Sequence, residues 1–293
     1  MPKPLAEYRP RDWARLRPLF HAYKTWRYDR VTAWYVKRPQ MAGDLDELGR
    51  RIAGARLLVT VAFNDAEILE RQLLAVRRFV AGALHIVADN SRDDEAAQKI
   101  EALCGQLGTP YLRLPANPWG AKSPSRSHGL ALNWIWRRLI RPAGPELFGF
   151  LDHDLVPVAP CDPFEPLSRQ PVHGDKRWAG ERWFLWAGYC FFRTAFLEGR
   201  DVDFGQDWFV GLDTGGGNWR SIYAQMEPSS LEERRIERVA IVPGAPISEC
   251  YAERRGAWLH EVGFDRRPDL KVEKRTRFLA LIDKALAGEP ALA

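Results

Sequence analysis

The chain has no Cys-x-x-Cys pair. Its four cysteines, Cys104, Cys161, Cys190 and Cys250, are widely spread, so a zinc ribbon or a thioredoxin-like site has no support. They read as reduced, mostly buried thiols of a cytoplasmic protein. No apolar run reaches the roughly 18 residues of a membrane-spanning helix, and the N-terminus lacks the apolar stretch of a signal peptide. A large excess of one charge is also missing: the net charge is +5 over 293 residues. With no recognisable nucleic-acid module, nucleic-acid binding is not expected.

What is present is an ordinary globular composition with an unusual number of tryptophans, twelve in all. Indole rings suit core packing, an interface or the face of a sugar ring. A chain of this length buries roughly three quarters of its unfolded surface and needs no metal or disulfide to fold. The positive charge is concentrated: residues 1–56 hold 13 Lys and Arg against 6 Asp and Glu. Within residues 1–40 these cations alternate with Trp13, Phe20, Tyr23, Trp26, Tyr28, Trp34 and Tyr35. Pro10 is placed to start a helix, Pro18 to kink it and Pro39 to end it. Two readings of this arm stay open. Either it packs on the main domain with its aromatics buried, or it lies on an anionic membrane surface, where each cation adds roughly 1 kcal/mol. The aromatics are not confined to one clean helical face, which favours the packed arm. Residues 41–55 read as a connecting helix.

From residue 56 the pattern changes. Arg56 to Asp65 is an apolar, β-branched run with a polar end, followed by helical spacing from Ala66 to Phe79. Leu84 to Ser91 reads as a second strand, Asp93 to Leu107 as a helix, and Tyr111 to Leu114 as a third strand. Strand–helix alternation implies βαβ units and a mainly parallel sheet. Residues 115–126 form a loop rich in Pro, Gly and Ser that carries Lys122 and Arg126. Ser127 is the expected cap of the next helix, which runs to Leu139. A helix N-terminus beside two cations suits a phosphate.

Asp-x-Asp occurs three times, at Asp44/Asp46, Asp152/Asp154 and Asp201/Asp203. The first reads as a helix start and the third as a loop. The middle copy ends the apolar run Leu147 to Leu151, and two carboxylates at the carboxyl end of a buried strand can share a hard cation. Beyond it, Trp178 to Phe192 reads as one or two aromatic strands. Asp213 precedes the glycine triplet 215–217, residues 219–237 read as helical, Val239 to Val242 as a strand, and 268–288 as a basic terminal helix.

Taken in order, these signals resemble a GT-A fold glycosyltransferase of the family-2-like kind. The carrying residues are the strand ending Thr60-Val61-Ala62-Phe63-Asn64-Asp65, the strand ending Asp89-Asn90-Ser91, the segment Ser127 to Trp134, Asp152-His153-Asp154, and Gly188 to Arg193. The resemblance covers residues 56–220 and extends to 262. It implies an α/β, Rossmann-like, mixed but mainly parallel sheet flanked by helices, with an N-terminal helical arm. The expected domains are an arm over 1–55, a catalytic domain over 56–265 and a basic helix over 266–293. It also implies a nucleotide-sugar donor, a glycan or lipid-linked acceptor, and Mn²⁺ or Mg²⁺. Asp65 and Asp89 match positions that contact the nucleoside. Asp152 would face the ribose or a metal-bound water, Asp154 would hold the cation, and His260 would be a second protein ligand. Lys122 and Arg126 would add charge-assisted donors to the diphosphate. An inverting transfer needs a carboxylate base; Asp213 is the first choice, Asp207 the second and Glu181 the third. Two other readings compete. In a haloacid-dehalogenase-like phosphatase, Asp152 would be the nucleophile and Asp154 the acid/base. In an inactive nucleotide-sugar-binding scaffold, metal binding would persist without transfer.

Overall fold

The computed structural model describes residues 5–207, 209–232, 235–262 and 267–291. The arm is two helices, α1 (Pro10–Ala14) and α2 (Arg17–Val36), broken at Leu16, whose backbone is left-handed. Pro18 lies in the first turn of α2 and starts that helix instead of kinking it, because a first-turn proline has no N–H to lose. The connecting helix α3 is shorter than expected, Leu45–Ile52, capped by Asp44, whose Oδ1 accepts from the Glu47 N–H at 2.9 Å.

Next come β1 (Arg56–Ala62), α4 (Ala66–Phe79), β2 (Leu84–Asp89), α5 (Asp94–Leu107) and β3 (Tyr111–Arg113). Asp65 and Asp93 cap α4 and α5 through their side chains. The following helix, α6, spans Pro124–Ile135 with Ser123 at its N-cap. Ser127 is therefore not the cap but a buried residue of the first turns. The helix begins earlier because Pro124 is preset for a first helical turn. A π segment, Trp136–Ile140, leads into α7 (Arg141–Ala143). The central strand β4 is Leu147–Asp152, followed by β5 (Leu155–Pro157), β6 (Val172–Ala179), β7 (Arg182–Arg193) and α8 (Thr194–Leu197).

Six strands form one mixed sheet in the order β3-β2-β1-β4-β7-β6. β1, β2, β3 and β4 run parallel, while β7 runs antiparallel to both β4 and the edge strand β6. The expected mainly parallel α/β sheet flanked by helices is thus present. In β1, Leu57, Val59 and Val61 face one core with Trp134, Ile135 and Phe148; Leu58 and Ala62 face the other side. That alternation is the period of two that a strand imposes.

The chain reverses its strand order between β2 and β4, on either side of β1. This is where ligand crevices open in α/β sheets.

A second, antiparallel sheet has the order β5-β10-β9-β8, with β8 (Ile236–Ala240), β9 (Tyr251–Arg255) and β10 (Trp258–His260). Residues 219–237 do not form the expected helix. Among the described residues only short 3₁₀ turns occur there, at Tyr223–Gln225 and Pro228–Ser230, and the strand starts at Ile236, earlier than expected. Pro228 and the paired serines after it favour turns over a continuous helix. The terminal helix α9 (Lys271–Ala287) packs on α4, with Arg71 and Asp283 paired at 3.0 Å. The expected domain boundary at 265–266 lies outside the described residues.

The arm packs on the domain. Tyr28 Oη donates to Asp203, Tyr35 Oη donates to the Pro115 carbonyl, and the Trp134 indole N–H donates to the Arg38 carbonyl. Its aromatics are not generally buried, however: Trp13, Phe20, Tyr23, Trp26 and Trp34 are exposed.

Candidate functional site

Asp152 is the last residue of β4, and Asp154 immediately precedes β5. β5 pairs with β10 so that Leu155 faces His260. This pairing, across more than a hundred residues of sequence, brings Asp152, Asp154 and His260 together. One ligand atom from each lies within 4.8 Å of the others. His260 Nε2 is 3.5 Å from Asp154 Oδ1, and its Nδ1 is 3.5 Å from Glu253 Oε2. A carboxylate behind a histidine fixes the ring's orientation and raises its basicity as a ligand.

Electrostatics in this corner are strong. Burial works against charge on His260, but Asp154 and Glu253 outweigh it and raise the imidazole. Reciprocally, burial would raise Asp154, and His260 holds it well below the usual carboxylate range. Burial would also raise Glu253, but His260, Arg255 and Arg177 bring it down to about 2. Arg255 is fully buried, ion-paired to both Asp175 and Glu253, and stacked over Trp186 at 5.1 Å. Two carboxylates and an imidazole within this span suit a divalent cation such as Mn²⁺, for which oxygen donors with one nitrogen are acceptable. His260 must lose its proton to ligate, so cation and proton compete for it.

The turn carrying these carboxylates is held from beneath. Gln72, fully buried in α4, donates from Nε2 to the carbonyls of Asp152 and Leu155, both at 2.7 Å. Its Oε1 accepts from Thr60 Oγ1 at 2.7 Å, and Thr60 Oγ1 lies 2.8 Å from His85 Nε2. Because the Thr60 hydroxyl has given its proton to Gln72, it accepts from His85. Facing the carboxylate, Gly188 of β7 leaves room that a side chain would fill: a Cβ there would lie 2.6 Å from Asp152 Oδ2.

Asp152, His153 and Asp154 line a cavity of about 410 Å³ at the strand switch point. Val61 and Phe63 come from the end of β1, Asn90 from the end of β2, and Ser127 and His128 from α6. Trp186 of β7, whose ring lies 4.9 Å from that of His260, and Asp213 and Thr214 complete the lining. His128 Nε2 is 3.5 Å from Asp152 Oδ1. Asp213 is exposed; its Oδ1 accepts from Gln206 Nε2 and from the Thr214 N–H, each at 2.8 Å. Thr214 Oγ1 donates to the Ser125 carbonyl at 3.0 Å, which ties the two walls together. Gly215 adopts φ +96, and a Cβ there would lie 2.4 Å from the Leu185 carbonyl; this position accepts only glycine without displacement of the turn.

Of the residues singled out from sequence, Asp152, Asp154 and Asp213 line this cavity, and His260 adjoins it through its contact with Asp154. The others lie elsewhere. Both Asp89 oxygens are engaged within the fold, by the Ser91 N–H and by Tyr111 Oη, each at 2.8 Å, and the residue is buried. Asp65 caps α4 and pairs with Arg275 of α9. Lys122 is exposed, and Arg126 lies over Trp119 at 5.0 Å; neither lines the cavity. Asp207 is buried in a separate cavity beside Tyr28 and Arg220, and burial raises its carboxyl. Glu181 lies on the hairpin turn between β6 and β7, facing Glu7, Arg182 and Trp219. Sequence reasoning missed Gln72, His128, Trp186 and Glu253. Gln72 had a signal, a lone amide within the apolar stripe Ile68, Leu69, Leu73 and Val76. Glu253 had none, because strand pairing alone brings it to His260.

No family model matches the chain, and no curated protein matches it. Among solved structures it is similar to the mannosyltransferase PcManGT from Pyrobaculum calidifontis, in complex with GDP-Man and Mn²⁺, at 15% identity and a TM-score of 0.36. That match covers 59% of this chain and 53% of the other. It is also similar to TarS of S. aureus at 16% identity and a TM-score of 0.34, covering 51% of this chain and 30% of that one. The chain thus matches about half of the first protein's length and under a third of the second's. Both TM-scores are below 0.5, and the fold class stands on the strand order itself.

Proposed function

We propose that the chain is a glycosyltransferase of the GT-A type, moving a sugar from a nucleotide-diphosphate donor to a hydroxyl acceptor. The observation that carries this reading is the convergence of Asp152, Asp154 and His260 at the strand switch point, with Asp213 across the same cavity. Mn²⁺ or Mg²⁺ is the proposed cofactor, held by Asp154 and His260 with Asp152. When bound, such a cation supplies Lewis-acid stabilisation of the charge that grows on a leaving diphosphate. Phe63 offers an apolar face that suits a nucleoside. Trp186 offers a flat face to a sugar ring. Asp213, exposed and beside a glycine turn, is the proposed base for the acceptor hydroxyl, giving an inverting displacement. A glycan or lipid-linked acceptor and a cytoplasmic location at the inner face of a membrane complete the proposal; four cysteines without a disulfide agree with a reducing compartment. No observation favours the phosphatase reading, because the third donor near Asp152 is a histidine and not a further carboxylate.

The test is thermal unfolding with nucleoside diphosphates and nucleotide-sugars, with and without Mn²⁺, on wild type and Asp154→Ala. A ligand at 100 times its dissociation constant adds about 2.7 kcal/mol of stability. A Mn²⁺-dependent shift with one nucleotide, lost in the variant, supports the donor site. Retained binding without any sugar transfer would favour the scaffold reading, and no shift with any nucleotide would overturn the donor site itself.

A further inference from the structure

The long helix of the arm is inside out. A surface helix of a globular domain ordinarily turns its apolar stripe to the core. The side of α2 that packs on the domain instead buries Pro18, Thr25 and Thr32, with Tyr35 near its end. The opposite side carries Leu19, Phe20, Tyr23, Trp26 and Trp34, from 50% exposed at Trp34 to 64% at Leu19. With 3.6 residues per turn, positions 19, 20, 23, 26, 27, 30 and 34 share one half of the helix, and 18, 25 and 32 the other. Leu16 and Trp13 extend the stripe beyond the helix start. Among the described residues, eight of the twelve most exposed large apolar side chains lie between residues 5 and 34. An apolar stripe of this kind marks an interaction surface.

The charge beside the stripe identifies what covers it. Lys24 sits 4.2 Å over Phe20, and Arg27 and Arg126 approach Trp119 at 5.9 and 5.0 Å. With Phe20 and Tyr23 these residues wall a cavity of about 320 Å³ whose lining has three cations and no carboxylate. Arginine, lysine, tryptophan and tyrosine together suit the headgroup level of a bilayer, where rings meet the acyl boundary and cations meet phosphate. No helix among the described residues is long and apolar enough to cross a membrane.

We infer that the exposed face of α1 and α2 docks on an anionic phospholipid bilayer, with α2 lying in the interface plane and a lipid phosphate in the cavity between Lys24, Arg27 and Arg126. Trp119 and Arg126 flank the loop whose Gly120, Pro124 and Ser125 line the Asp152 cavity. The docked face and the donor cavity therefore share one loop, which brings the cavity near a lipid-linked acceptor. That last step rests on the glycosyltransferase reading; the docking does not.

The experiment is co-sedimentation of the full chain with vesicles of phosphatidylcholine containing phosphatidylglycerol, and with phosphatidylcholine alone. Binding is expected to the anionic vesicles only, to weaken with added salt, and to shift tryptophan emission to the blue. Lys24→Gln with Arg27→Gln should lower partitioning about thirtyfold, from roughly 1 kcal/mol per cation. Leu19→Ser, Phe20→Ser and Trp26→Ser together should lower it by at least about tenfold. All five side chains are away from the donor cavity, and the variants should melt as wild type does. Equal binding to neutral vesicles, or no binding to either kind, overturns the inference. So does protection by inorganic phosphate alone without vesicle binding, or a wild-type dimer that the serine variant converts to monomer. Asp154→Ala should bind vesicles as wild type does, so a failure of the sugar-transfer reading is distinguishable from a failure of docking.

Discussion

The floor of the donor cavity and the N-terminal arm use buried polar groups in opposite ways. Beneath the Asp152–Asp154 turn, polar side chains are buried in pairs: Gln72 with Thr60 and two carbonyls, Arg255 with Asp175 and Glu253. Each is bonded to a partner, and the result is a turn that cannot shift without breaking several bonds at once. Under α2, the buried polar side chains are small threonines, while the large apolar ones face outward. The first arrangement fixes atoms for chemistry. The second leaves a surface whose stability benefit comes only from something outside the chain. A polar group inside is thus evidence of positioning when its partners are in the site, and evidence of an external contact when apolar groups are displaced to the surface.

Five experiments would sharpen or break that contrast. The largest effect is expected for Asp154→Ala, which should lower any metal-dependent transfer by a thousandfold or more, about 4 kcal/mol in barrier, with circular dichroism unchanged. Arg255→Met should destabilise the fold by about 3 kcal/mol in urea titration, because it removes the buried cation from Asp175 and Glu253 and leaves the more exposed Arg177, 3.7 and 3.5 Å away, as their remaining arginine. Gln72→Leu should cost about 2–3 kcal/mol, since Thr60 and the carbonyls of Asp152 and Leu155 lose a buried partner. It should also weaken Mn²⁺ affinity measured by calorimetry, whereas Gln72→Leu with unchanged Mn²⁺ affinity would reduce the clamp to a packing role.

His85 gives a pH test of the same network. Burial pushes its imidazole from 6.5 down to about 4. Between those values the unfolded chain binds a proton that the folded chain does not. Stability should therefore fall as pH drops from about 6.5 to about 4, by roughly 3 kcal/mol, and level off below. His85→Gln should flatten that slope in pH-dependent melts. The smallest effect is expected on the arm: Trp26→Ser should change stability by less than about 0.5 kcal/mol in the absence of lipid. A loss of several kcal/mol there would mean that the outward face is packed in solution, and the contrast between the two regions would fail.

Sequence alone determined the local elements and half of the site. Continuous apolar runs of strand length bounded by Asp and Asn specified β1, β2 and β4, and a strand ending in Asp152 and Asp154 put two carboxylates at a carboxyl end. The helix start at Asp44 was legible because a short acceptor before a helical stripe bonds locally, whereas Asp65, read as a nucleoside contact, caps α4 instead. The region 219–237 was misread as helix because its residues suit a helix only if the turns at Pro228 are ignored.

Tertiary structure decided the rest. Pairing of β5 with β10 is a contact between distant segments and selects His260 as the third donor, while the antiparallel pairing of β9 with β10 sets Glu253 opposite His260 as its support. It also diverted Asp65 and Asp89 from the cavity by giving their carboxylates Arg275 and Tyr111 as partners. Local propensity sees only neighbours along the chain, and these partners lie far from it in sequence. For the arm, the spacing of Leu19, Phe20, Tyr23 and Trp26 was in the sequence, but which half of the helix met the domain was set by Tyr28 and Tyr35 reaching across to Asp203 and Pro115. That choice turned an aromatic stripe outward, and no periodicity could reveal it.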